Sequence, residues 1–254
     1  MADPILQVQN LNKSYGAVTA TQNLSLDVRE GEVHALIGPN GAGKTTLMRQ
    51  LSGQVEPDSG AVIFRGEDIT STPAHRRAHL GIGRSFQITQ VFEKLTVEDN
   101  LALAVQTHFG HSFRFWRDAR SDKKLSKAVT DAVTRCGLAE RAKATAGSLS
   151  HGEKRQLDMG MALAGNPRLL LMDEPMAGMG PGGTVKMTEL IMSLKGATSI
   201  LLVEHDMDAV FALADRITVL VYGEGVATGT PDEIRCHPAV QEAYLGEEAC
   251  DAAS

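Results

Sequence analysis

Cysteine is scarce in this chain: Cys136, Cys236 and Cys250 are the only three in 254 residues. They are odd in number, scattered and without CxxC spacing, which excludes a disulfide framework or thiolate metal site and points to free thiols in a reducing compartment. Long apolar runs are missing too. No stretch approaches the roughly 20 continuous apolar residues of a membrane-crossing helix, and the opening MADPILQVQN lacks the basic and apolar regions of a secretory leader. Nor is there an excess of positive charge. With 25 Lys and Arg against 31 Asp and Glu, the net charge is −6, which argues against general nucleic-acid binding, a function that favours a basic face. Internal repeats and low-complexity tracts are absent. What remains is an ordinary globular composition, 43% hydrophobic, in a chain long enough to bury a sizeable core. The expectation is a cytoplasmic protein.

Local patterning divides the chain. ILQVQ and LSLDV alternate like half-buried strands around the turn-rich KSYG. VHALIG, 33–38, is a continuous buried strand, followed by a glycine-rich turn and the helix KTTLMRQLSG; EPDSG then marks a turn before the strand AVIFRG. From about 96 to 165 the apolar period becomes helical. Strand-like runs return with LLLM at 169–172, SILLV at 199–203 and ITVLVY at 217–222. Buried strands alternating with helices predict a parallel α/β sheet, with the core at about 1–95 and 166–246. A helical subdomain at about 96–165 is inserted into that core, and a polar tail follows at 247–254.

The strongest local signal is GPNGAGKT, 38–45, which fits G-x-x-x-x-G-K-[ST] between a buried strand and a helix. Its glycines let the backbone aim several N–H groups at one anion. Lys44 would reach β- and γ-phosphates, and the Thr45 hydroxyl would coordinate Mg²⁺. The bland reading is a strand-to-helix turn at Gly41 and Gly43 beside an exposed lysine; the flanking strand and helix weigh against it. LLLMDEP, 169–175, is a strand ending in two acids. Beside a phosphate loop, Asp173 suits the metal and Glu174 suits a general base for the attacking water. Hydrolysis is therefore favoured over mere nucleotide binding. LSHGE, 149–153, has the form of a capping box, with Ser150 and Glu153 three residues apart, and a helix start also attracts phosphate. Leu157, Met161 and Ala164 continue as an apolar stripe. Tyr15, Gln87 and His205, taken singly, read as packing or structural polar residues.

Their order changes that reading. Tyr15, GPNGAGKT, Gln87, LSHGE, LLLMDEP and His205 occur in the sequence of motifs that marks ATP-binding cassette (ABC) ATPases. From about residue 5 to 246 the chain resembles that family. The resemblance implies a P-loop NTPase core with an N-terminal antiparallel β subdomain and an inserted helical subdomain. It implies head-to-tail dimerisation, with ATP and Mg²⁺ held at one subunit and covered by the signature motif of the other. Tyr15 would stack on adenine, while Gly38, Asn40, Gly41, Gly43, Lys44, Thr45 and Thr46 hold phosphate and Mg²⁺. Asp173 would bind the metal, Gln87 sense metal and attacking water, Glu174 act as base, and His205 contact the γ-phosphate. Ser150 and Gly152 would meet the γ-phosphate of the partner's ATP. GEVHALIGPNGAGKTTL, RSFQITQVFEKLTVEDNL and HPAVQEAYLG are most similar to subunits of branched-chain amino acid, urea and amide importers. That implies a homologous ATPase partner, identical or related, two membrane permeases and, indirectly, a periplasmic solute-binding protein. The chain would sit on the cytoplasmic face of the inner membrane.

The signature departs from the family pattern, and two further stretches vary within it. His151 and Glu153 stand where glycine and glutamine are usual. A carboxylate near a nucleotide adds repulsion, so Glu153 is expected to turn toward its own helix start or a basic neighbour. MAGMGPG follows the acid pair without the usual aspartate. HSFRFWRDARSDKK, 111–124, is basic and aromatic, open to readings as a solvated helix, a lipid-headgroup patch or a permease contact. The alternative function is a non-transport single-cassette ATPase, such as a cluster-assembly scaffold. Translation and repair ATPases usually carry tandem cassettes or long coiled coils, which this chain lacks.

Overall fold

The computed structural model describes residues 4–85, 89–108 and 123–240. They fall into two compact units, one of the described residues within 1–80 and 194–254 and the other of those within 81–193. Among the described residues no helix is long and apolar enough to cross a membrane.

The first unit opens with the hairpin β1 (Pro4–Tyr15) and β2 (Val18–Arg29), then β3 (Val33–Ile37), α1 (Lys44–Leu51), β4 (Ser59–Phe64), β5 (Glu67–Asp68) and α2 (Ala74–Leu80). β1 and β2 pair antiparallel, β4 joins the other side of β1, and β5 joins β4, giving the order β2-β1-β4-β5. Ile5, Leu6, Val8 and Leu11 of β1 are buried while Gln9 and Asn10 are exposed, as expected of a half-buried strand. All five residues of β3 are buried, which is why its sequence does not alternate.

The second unit holds β6 (Ile82–Arg84), α3 (Val97–His108), α4 (Lys123–Arg135), α5 (His151–Leu163), β7 (Leu169–Asp173) and most of α6 (Pro181–Leu194). β6 and β7 pair in parallel. Val97, Leu101 and Val105 of α3 meet Leu125, Val129, Ala132 and Val133 of α4 and Leu157 of α5 in one buried cluster. Their three-to-four-residue spacing puts each set on one helix face. The helical period read over 96–165 thus packs in one compact unit with β6 and β7. Most of the basic-aromatic stretch 111–124 lies outside the described residues.

The chain returns to the first unit with β8 (Ser199–Val203), α7 (Met207–Leu213), β9 (Arg216–Val221), β10 (Glu224–Gly229) and α8 (Pro231–Arg235). β3 runs parallel to both β8 and β9, and β10 closes the edge antiparallel to β9. His34, inside the apolar β3, is fully buried, with Nδ1 3.1 Å from Glu32 Oε1 and Nε2 2.8 Å from Thr218 Oγ1. Arg216 grips Asp27 through two nitrogens at 2.9 and 3.2 Å and reaches Glu32 at 3.3 Å. Its hydrogen bonds hold the Asp27 carboxyl below the usual range. These partners satisfy the polar groups that burial would otherwise penalise.

Arg77 of α2 ties down the far end of α1. Its Nε donates to Thr72 O at 2.7 Å, Nη1 to Gln50 O and Leu51 O at 2.8 Å each, and Nη2 to Ile69 O and Thr70 O at 2.6 and 2.8 Å. The side chain is 2% exposed. Two of those carbonyls belong to the last turn of α1, where a positive charge complements the helix dipole.

Candidate functional site

In the first unit, the link from β3 to α1 is the glycine-rich loop. Ala42 N–H donates to Pro39 O at 3.2 Å, closing a tight turn, and Gly223 N–H from the β9–β10 turn donates to Ala42 O at 2.9 Å. Gly43 has φ 103°, and a Cβ there would overlap the Ala20 carbonyl oxygen; a Cβ on Gly38 would overlap the Leu220 carbonyl oxygen. The loop backbone is thus wedged between β2 and β9, where only glycine fits. No side chain caps α1, whereas Ser150, Asp206 and Thr230 cap α5, α7 and α8. The first amides of α1 face the loop with their dipole, a ready-made anion site. Lys44, 6% exposed, arches back so that Nζ donates to Gly38 O and, at 3.0 Å, to Pro39 O. Its charge therefore lies over the loop. Asn40, Gly41 and Thr45 are exposed, and Thr46 is half-buried.

Sheet register brings His205 to the same edge as this loop. Leu36 pairs with Val203 across parallel β3 and β8, so both chains emerge at the carboxyl ends of neighbouring strands, where α/β sheets bind ligands. His205 is exposed, its backbone N–H held by the Glu204 carboxylate at 3.1 Å, and Asp206 caps α7 through Ala209 N–H at 3.1 Å. Tyr15 ends β1 opposite Val18 and is 48% exposed. Lys13 Nζ lies 5.6 Å from its ring centroid and is anchored to Asp58 at 2.7 Å.

In the second unit, β7 ends at Asp173, 2% exposed, with Arg84 Nη2 3.6 Å from its Oδ2. The next residue, Glu174, is half-buried with φ 51°. A non-glycine residue in the left-handed region costs about 1–2 kcal/mol and clusters at functional sites. Gln87 lies outside the described residues.

The signature stretch is also in this unit. Ser150 caps α5, with its Oγ accepting Glu153 N–H at 3.3 Å and the Glu153 Oε2 accepting Ser150 N–H at 2.8 Å. Glu153 Oε1 lies 3.3 Å from Arg141 Nε. Glu153 therefore turns toward both its helix start and a basic neighbour, as the sequence led us to expect. The Ser150 amide holds its carboxyl below the usual range against the raising effect of desolvation, with the Ser150 side chain, Arg141 and Lys186 adding to the lowering. A groove of about 430 Å³ opens beside it, lined by Ser150, His151, Gly152, Gly178, Gly183 and Lys186. Met179 packs near Gly152, whose added Cβ would meet Met179 Cε at 3.5 Å.

Among the described residues no three His, Cys, Asp or Glu side chains converge to hold a metal by themselves. Thr45 in the first unit and Asp173 in the second each carry a hard oxygen donor of the kind Mg²⁺ prefers. Sequence reading missed Arg84, Arg141 and Lys186. Their one visible signal was positive charge near the motifs, which does not reveal a carboxylate partner remote in sequence.

Comparison with known proteins agrees with this geometry. Residues 21–177 match the family described as ABC transporter, and residues 226–250 match branched-chain amino acid ATP-binding cassette transporter. A high-affinity branched-chain amino acid transport ATP-binding protein, LivG of Salmonella typhimurium, is 39% identical, covering 97% of this chain and 100% of its own. BraF of Pseudomonas aeruginosa, named likewise, is 37% identical with the same coverage. A nucleotide-free ATP-binding cassette from an ABC transporter superposes with a TM-score of 0.83 at 31% identity, over 96% of this chain and 100% of that one. A cassette in its ADP conformation gives 0.84 at 30% identity, over 97% and 100%. The family match over residues 21–177, with relatives named as transport ATP-binding proteins along nearly the whole chain, places this protein in the ABC transporter family as an ATP-hydrolysing, ATP-binding subunit.

Proposed function

We propose that this subunit powers import of branched-chain amino acids or related small polar solutes through two separate membrane permeases. Solute would be delivered by a periplasmic binding protein. The chain would be held peripherally on the cytoplasmic face of the membrane, with residues 96–165 as its helical subdomain. The single observation carrying the ATPase chemistry is the glycine loop, whose α1 amides no side chain caps and over which the Lys44 ammonium is folded. The branched-chain assignment rests on the relatives' names and on the match at residues 226–250.

In this reading Tyr15 stacks on adenine, and Gly38, Asn40, Gly41, Gly43 and Lys44 cradle the phosphates with Thr45 and Thr46. Thr45, Asp173 and Gln87 would hold Mg²⁺, which would offset the charge of the phosphates. Glu174 takes the proton of the attacking water, and His205 fixes the γ-phosphate. Ser150 and Gly152 reach the γ-phosphate held by a homologous partner, identical or related. ATP bridging two subunits favours the closed arrangement by its extra contacts, and hydrolysis removes that preference.

Glu174→Gln tests the assignment. Nucleotide affinity should stay at the wild-type level, turnover should fall by about 100-fold or more, and light scattering should show a dimer in Mg·ATP. Normal turnover would remove Glu174 from the role of base. Reconstitution with the permeases, with leucine-stimulated ATP turnover as readout, tests the solute class.

A further inference from the structure

The Arg84–Asp173 pair lies at the buried end of β7. The register Arg84↔Leu171 sets Arg84 beside the residue two before Asp173, on the strand face they share. The adjacent Gly83 packs closely, since a Cβ there would meet Ala162 O and Pro167 at 3.0 Å. The two side chains are 10% and 2% exposed, so each charge has little water to solvate it and the attraction between them is little screened. At 3.6 Å the contact is a Coulombic attraction, too long for a closed hydrogen bond. A contact of this length can open when a divalent cation reaches the same carboxylate. Asp158 lines the same groove as Arg84, and its Oδ1 is engaged by Gln90 N–H at 3.3 Å.

We infer that Arg84 is a positioning residue that stands in for the metal, neutralising Asp173 in the nucleotide-free protein and competing with the divalent cation for that carboxylate. The inference rests on the reading of Asp173 as a metal ligand. Two effects then act in one direction when Arg84 becomes neutral. The metal-free state loses its buried pair, and the bound cation loses a repelling neighbour, so the metal binds more tightly.

The experiment is a titration of the full chain with Mn²⁺ in saturating ADP, following free Mn²⁺ by electron paramagnetic resonance, with melting temperatures taken with and without Mn·ADP. Arg84→Met should bind Mn²⁺ roughly tenfold more tightly, and its melting temperature should be lowered without ligand but largely recovered with Mn·ADP. Arg84→Lys, which keeps the charge, should remain near wild type. Unchanged or weaker Mn²⁺ binding by Arg84→Met overturns the inference, as does an equal loss of melting temperature in both conditions. Failure to fold even with Mn·ADP also overturns it, since the cation should make good the lost charge. Asp173→Asn separates the two readings. If it binds Mn²⁺ like wild type, Asp173 is no ligand; if it binds poorly while Arg84→Met is unchanged, only the role of Arg84 fails.

Discussion

Arg141 and Glu153 form an ion pair at 3.3 Å at the head of α5, while the other Glu153 oxygen closes the capping box on Ser150 N–H. The carboxylate is thereby turned into its own helix. Glu153→Gln should leave ATP affinity within about twofold of wild type, because the amide oxygen can still accept the Ser150 N–H. A rise in affinity beyond that, measured by calorimetry, would show that the carboxylate faces nucleotide.

The same pair has a pH signature. Glu153 titrates below its ordinary value of 4.5, so its ionised form is favoured by folding. Its contribution is complete above that value and is lost as pH falls through the lowered one. The gap in melting temperature between wild type and Glu153→Gln should be constant from about pH 5 to 8 and shrink below about pH 4.5. A gap that stays constant into acid would contradict the pairing.

Gly43→Ala should abolish tight nucleotide binding. The new methyl would strike the Ala20 carbonyl while the backbone is held at φ 103°. Relief requires the loop to shift, at a cost of about 1–3 kcal/mol. Urea denaturation reads that cost, and fluorescent-nucleotide titration reads the lost site. Gly41 has no atom within 4 Å of an added Cβ, so Gly41→Ala should be the milder change.

Arg77→Met takes a donor from each of five carbonyl oxygens, of which Ile69 O and Gln50 O keep a backbone donor. The expected loss is about 3 kcal/mol by urea denaturation, since a buried acceptor left without any donor costs roughly 1–3 kcal/mol. Arg77→Lys, a point charge with three donors in place of a planar fork, should recover only part of it.

Thiol chemistry should separate two cysteines. Cys136 is buried and its thiol is pushed up to about 11, chiefly by desolvation, whereas Cys236 is exposed. In a Cys250→Ser background, Ellman's reagent at pH 8 should titrate Cys236 promptly and Cys136 only on unfolding. Prompt reaction of both would show that the α4 end of the helical cluster is open.

Much of this architecture was legible because hydrophobic period and motif spacing are local. β3, β7, β8 and β9 are each marked by an apolar run, and α5 by a cap followed by a stripe. β10 was not read. Glu224–Gly229 is a half-exposed edge strand with two glycines and no apolar run, so its pairing with β9 leaves no periodic trace. The phosphate loop and the acid pair were legible as chemistry. Gln87 was named but falls outside the described residues. Arg84 and Arg141 were illegible because their meaning lies in partners 89 and 12 residues away, brought near by strand pairing and by the fold of the helical unit.

The wedge around the phosphate loop has a consequence for how the family varies. The atoms that exclude a side chain at Gly38 and Gly43 are the main-chain oxygens of Leu220 and Ala20. Any amino acid at 20 or 220 presents the same oxygen. No exchange of side chain at those neighbours therefore removes the obstacle, and none can rescue a lost glycine.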